Sequence, residues 1–95
     1  MYNMLGLASR AGKCVFGQEA FLNAIRAKKI ALAVLSEDAS DNTKKKIRNA
    51  CEYYNIKLLE LKTDMLGQSV GKPGVKVVGI IDKMMSNAIL NKIKD

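Results

Sequence analysis

Ninety-five residues, 48% of them apolar, suffice for one domain around a single core. With no Trp and only 5% aromatic residues, that core has to be aliphatic. A net charge of +7, from 16 basic against 9 acidic side chains, favours a polyanionic partner, while two cysteines and no histidine exclude a four-ligand zinc site and remove the usual base of neutral-pH catalysis.

In chain order, helix and strand patterns alternate. Residues 1–11 read as a short helix with Met4, Leu5 and Ala8 on one face and Gly12 as its stop. Residues 13–16 are a short strand. Gly17 opens a helix to about Lys28, with Phe21, Ala24, Ile25 and Lys28 at helical spacing. The continuous apolar run over 30–35 has the character of a central strand covered on both faces. Ser40 or Asp41 caps the next helix, whose stripe is Ile47, Ala50, Cys51 and Tyr54, with Lys44, Lys45, Lys46 and Arg48 largely opposite and Glu52 a pairing candidate within the helix. Asn55 ends it, and 56–61 is a strand. Thr63 caps a short helix through Leu66 and Val70, 71–74 is a loop, and 75–81 is the last strand. Asp82 starts a final helix with Met84, Met85, Ala88, Ile89 and Ile93 inward, the methionines as core filler. Helices alternating with strands predict an α/β chain, a three-layer α/β/α sandwich on a mixed sheet of about four strands, spanning residues 1–95 as one domain.

The charge excess is uneven. Residues 1–30 carry five cations against Glu19, 31–60 balance five against five, and 61–95 carry six against three. Cys14 and Cys51 both sit among apolar neighbours and read as reduced core residues of a cytoplasmic protein. No apolar run approaches the ~20 residues that span a bilayer, and the N-terminal residues read as no leader, so no membrane partner is expected.

Catalysis finds no constellation. Gly6 to Cys14 superficially resembles a phosphate loop, but five residues separate Gly6 from Gly12 where four are needed, and Cys14 stands where a hydroxyl would hold magnesium. The serines lack a partner base, and the adjacent Glu37 and Asp38 read as acceptors for the turn before a helix. No catalytic residue, metal, cofactor or small-molecule substrate is expected. The segment from Gly12 to Asn23 is more informative. Lys13 lies on a short strand, Gly17 permits close backbone approach, a helix N-terminus presents free N–H groups, and Gln18, Glu19 and Asn23 add polar groups on its first turns. An ordinary helix cap explains the same residues equally well.

A longer pattern adds to this reading. Gly12-Lys13-Cys14-Val15-Phe16-Gly17, Gln18-Glu19-Ala20-Phe21-Leu22-Asn23-Ala24-Ile25, Ser36-Glu37-Asp38-Ala39, Cys51-Glu52 and Leu66-Gly67-Gln68-Ser69-Val70-Gly71-Lys72 together resemble the kink-turn RNA-binding family of ribosomal proteins, the group of archaeal large-subunit protein seven-Ae and eukaryotic large-subunit protein thirty, and most of all its short bacterial members. The resemblance covers nearly the whole chain. It implies binding of a structured RNA, a kink-turn or similar bulged duplex in an rRNA or mRNA leader, by a ribosomal or ribosome-associated protein. The family's helix start carries Asn, Glu and Lys where this chain has Glu19, Ala20 and Asn23. The resemblance assigns RNA contacts to Lys13, Gly17, Gln18, Glu19 and Asn23, and to Lys72, Pro73 and Gly74 in a loop that packs on a flipped-out base. The alternative is a non-catalytic protein-interaction module that keeps the fold and lacks specific RNA recognition.

Overall fold

The apolar run over residues 30–35 does mark the centre of the sheet. The strand there, Leu32–Ser36, is buried at every position because helices cover both of its faces. The computed structural model describes residues 2–61, 66, 70–72 and 74–94. Its elements are α1 (Tyr2–Arg10), β1 (Cys14–Phe16), α2 (Gln18–Arg26), β2 (Leu32–Ser36), α3 (Asp41–Tyr54), β3 (Leu58–Leu61), β4 (Val77–Ile80) and α4 (Lys83–Lys94). The Thr63 cap lies outside the described residues, although Leu66 is helical and buried.

The sheet order is β1-β4-β2-β3. β4 is antiparallel to both β1 and β2, and β3 is parallel to β2. The sheet is therefore mixed, with three strands running one way and β4 the other. Alternate side chains feed two separate cores, as the period-2 pleat requires. Leu32, Val34, Val78 and Ile80 meet Leu5 and Ala8 of α1 and Ile89 of α4. Ala33, Leu35 and Val77 meet Phe21 and Ile25 of α2 and Ile47 and Cys51 of α3. Gly79 is what lets α2 lie so close: a β-carbon there would stand 2.5 Å from Ile30 Cδ1, 2.9 Å from Val15 Cγ2 and 3.0 Å from Phe21 Cδ1.

The caps follow local chemistry. The Thr43 N–H donates to Ser40 Oγ at 3.1 Å, so Ser40 is the N-cap of α3. The Met85 N–H donates to Asp82 Oδ1 at 3.0 Å at the start of α4. Three helices end in the same way, with paired six-to-one and five-to-two backbone hydrogen bonds and one residue in the left-handed region. That residue is Gly12 after α1, Lys28 after α2 and Asn55 after α3.

Four expectations are corrected. Lys28 is not on the helical stripe: α2 stops at Arg26, and Lys28 is exposed with φ 60°. Met84 is 82% exposed and points away from the core, because the inward stripe of α4 is set by Met85 and Ile89. Cys14 is half-buried where Cys51 is buried, since β1 is an edge strand. Glu52 forms no ion pair with Lys44, Lys45 or Lys46 among the described residues, and the helix's ion pair runs instead from Arg48 to Glu60 on β3, Nη2 to Oε1 at 2.5 Å.

Candidate nucleic-acid interface

Strand direction decides which loops meet. β1, β2 and β3 end, and β4 begins, along one edge, and open α/β sheets characteristically bind ligands beyond such strand ends. Gly17 and Gln18 follow β1 there, Ser36 ends β2 and Glu37 to Ala39 follow it, and Lys72, Gly74 and Lys76 precede β4. The N-termini of α2 and α3 point to the same edge and bring their unpaired N–H groups with them.

Gly17 has φ 90° and ψ 162°, a region essentially confined to glycine. Its N–H donates to the Val77 carbonyl at 2.9 Å, and its carbonyl accepts from the Phe21 N–H at 3.0 Å. A β-carbon there would meet nothing within 4 Å. The glycine thus answers to backbone conformation and not to crowding within the protein, and the space over it is open to a partner.

Gln18 is fixed from α3. The Ser40 hydroxyl donates to Thr43 Oγ1 at 3.0 Å, and the Thr43 hydroxyl donates to Gln18 Oε1 at 2.8 Å. This chain orients the Gln18 amide and leaves its two N–H donors for other acceptors. Glu19 and Asn23, four residues apart, share the exposed side of α2. Lys72 reaches the same edge, with Nζ 5.5 Å from the centroid of the Phe16 ring, next to Gly17. Gly74, in a turn at φ 85°, is exposed beside it, and Pro73 lies outside the described residues.

Lys13 is not brought to this edge. It precedes the three-residue β1 and Gly17 follows it, so the two Cα atoms are roughly 13 Å apart at ~3.3 Å per residue. Its carbonyl accepts from the Ile81 N–H at 2.9 Å, at the opposite end of the sheet.

Asp38 and Lys76 belong to the Gly17 edge although the sequence did not single them out as a pair. Lys76 Nζ lies 2.6 Å from Asp38 Oδ2, and the Ser36 hydroxyl donates to Asp38 Oδ1. Lys76 first, and then the Ser36 hydroxyl, holds the exposed Asp38 carboxyl below its ordinary range. The pair joins the loop after β2 to the approach to β4. Its residues are 38 positions apart, and local pattern carries no signal of that. Thr43 was missed for the same reason, since it reads as an ordinary first-turn residue of α3. Arg48 likewise holds the Glu60 carboxyl low, on the outer side of the sheet.

The model of the ribosomal protein L7Ae/L30e/S12e/Gadd45 family matches residues 1–90. A Bacillus subtilis protein named RNA-binding protein YlxQ is 36% identical over 91 residues, covering 95% of this chain and 91% of that protein. Its namesake in Enterococcus faecium is 39% identical over 94 residues, covering 98% and 86%. Among solved structures, a Bacillus halodurans protein of unknown function superposes with a TM-score of 0.93 at 33% identity, covering 99% of this chain and 96% of that one. A Giardia lamblia 15.5 kD RNA-binding protein shares the fold at a TM-score of 0.81 and 17% identity, covering 98% and 81%. The chain therefore belongs to the L7Ae/L30e/S12e/Gadd45 family of ribosomal proteins.

Proposed function

We propose that this protein binds structured RNA at the Gly17 edge, without catalysis, and that the shape it selects is a kink-turn or similar bulged duplex in an rRNA or mRNA leader. The observation that carries this reading is the open Gly17 backbone at the start of α2 beside Lys72, within a family of ribosomal proteins. The two relatives named for RNA binding support the class of partner. Structured RNA is distinguished by bulges and unstacked bases more than by groove sequence, and a polar helix N-terminus beside a cationic loop suits that task.

Roles divide between backbone and base. Lys72 neutralises phosphate. Gln18 and Asn23 present amides, and Glu19 accepts from a base amino group. Glu19, Ala20 and Asn23 replace the Asn, Glu and Lys of the family pattern, so this edge loses one cation and depends more on shape. Two free cysteines on opposite faces of the sheet are consistent with a reducing cytoplasm. Paired binding titrations of Glu19→Ala and Lys72→Ala test the division. Glu19→Ala is expected to cost roughly 1–3 kcal/mol on kinked RNA alone. Lys72→Ala is expected to weaken kinked RNA as well, with a salt slope flatter by about 0.9, where Glu19→Ala leaves the slope unchanged. Equal losses from Glu19→Ala on both RNAs would reject the base-reading role.

A further inference from the structure

The end of the sheet opposite Gly17 holds an array of cations that lies apart from the Gly17 edge. There β1, β2 and β3 begin and β4 ends. Lys28, Lys29 and Lys83 line one shallow depression with Ile30, Ala31 and Ile81. Lys13 adjoins it through its carbonyl, which accepts from the Ile81 N–H at 2.9 Å. Lys57 flanks it on the β3 side, its carbonyl accepting from the Ala33 N–H at 3.0 Å. All five lysines are exposed, and none of their ammonium groups has an ion-pair partner among the described residues. Among the described residues, the acids on this side are Asp82, whose carboxylate caps α4, and Glu52 near the end of α3. At the Gly17 edge, by contrast, Asp38 neutralises Lys76, and Glu19, Glu37 and Asp41 are exposed acids.

Part of this charge has an ordinary explanation. α2 and α3 end here, and cations are favourable beside helix C-termini. Two positions resist it. Lys28 occupies the left-handed position that closes α2, where α1 uses Gly12 and α3 uses Asn55. A β-carbon is unfavourable there, and lysine offers no local hydrogen bond in return. Lys83 is the first residue of α4, at the positive end of the helix dipole, where a cation is unfavourable and an acid would stabilise. Both lysines stand where folding prefers another residue. Such departures from local preference are expected at functional sites.

We infer that this end is a second RNA-binding surface, which takes the phosphate backbone of an A-form duplex while the Gly17 edge holds a different RNA segment. The depression between Lys28 and Lys83 is lined by no aromatic ring. Beyond Lys28, Tyr54 is half-buried against Ile25, Ile30 and Ile56 and meets the exposed Tyr53 edge to face. No row of open rings therefore offers successive bases a stacking platform, which disfavours single strands. Ile81, 39% exposed, is the one large exposed apolar side chain of the lining, and the exposed Met84 beside Lys83 adds a single flexible one, too little for the buried anchors that protein interfaces depend on. Five spaced ammonium groups fit a phosphate backbone read by shape and charge. The molecule measures 28 × 25 × 25 Å, against a Debye length of about 8 Å at physiological salt, so the two ends act independently.

The test uses the full chain with two RNAs. Protein saturated with an unlabelled kink-turn duplex is titrated with a fluorescent straight duplex of about 16 base pairs, and the same probe is titrated into protein alone. Wild type is expected to form a ternary complex. The variant K28E/K29E/K83E is expected to lose straight-duplex affinity by more than about tenfold at 0.15 M salt, with a salt slope flatter by roughly 2–3, and to hold the kink-turn within about twofold. Lys28→Gly keeps the test independent of folding: its melting temperature is expected to rise while straight-duplex affinity falls. Mutually exclusive binding of the two RNAs, or unchanged straight-duplex affinity in both variants, overturns the inference. Failure of wild type to bind the straight duplex also overturns it, leaving an acidic protein surface as the better fit. Failure to prefer kinked RNA is read in the other arm and bears only on the function proposed above.

Discussion

Gly17 concentrates at one position what the candidate site requires. Its φ of 90° and ψ of 162° exclude side chains by backbone strain, while the volume a β-carbon would enter is empty. Gly17→Ala is therefore expected to destabilise the fold by about 1–3 kcal/mol, measured by urea unfolding, without displacing any neighbour. The cysteines give a second expectation. Burial pushes both the Cys14 and the Cys51 thiol up to about 11. Because the folded values are raised, the stability linked to these thiols is complete below the unfolded value of ~8.5 and is lost as pH rises from there through about 11. Native-state alkylation at pH 8 is accordingly expected to be slower at both thiols than in urea-unfolded protein, and slower at Cys51 than at half-buried Cys14. Equal rates in the native and unfolded states would contradict the burial assigned to them.

At the scale of elements, α3 positions the site as much as α2 does. The chain from Ser40 through Thr43 to Gln18 joins the N-termini of the two helices. Ser40→Ala is expected to cost about 1 kcal/mol through the lost cap and, in addition, to weaken RNA binding by releasing Gln18. Thr43→Val, which leaves Ser40 in place as cap, separates the two effects: reduced affinity with nearly unchanged stability is expected. The elements themselves were legible wherever one local signal sufficed. The apolar run at 30–35 announced β2, the stripe Ile47, Ala50, Cys51 and Tyr54 announced α3, and Asn55 announced its end. The sequence was misleading where tertiary context decides. Met84 fits a helical stripe but sits one position off the buried line, and Lys28 fits the α2 stripe but falls beyond the helix. Long-range partners such as Asp38 with Lys76 and Arg48 with Glu60 depend on sheet order, which residue spacing does not encode.

For the whole molecule, sheet topology sorts the sequence's candidate residues between two ends. Gly17, Gln18, Lys72 and Gly74 gather at one, with Glu19 and Asn23 extending along α2, and Lys13 falls at the other. The short β1 that links Lys13 to Gly17 made them look like one motif, and it is the direction of that strand that separates them. The central claim is that the Gly17 edge selects RNA by shape. The most direct measurement is a titration of the K28E/K29E/K83E protein, in which the opposite end no longer takes straight duplex, against a kink-turn duplex and a straight duplex of equal length and charge, repeated across salt concentrations. Binding that is tighter to the kinked RNA at every salt concentration, with the preference surviving as overall affinity falls, is the expected result. Equal affinity for the two shapes at physiological salt would contradict the claim, and would make a protein-interaction module built on the same fold the better description.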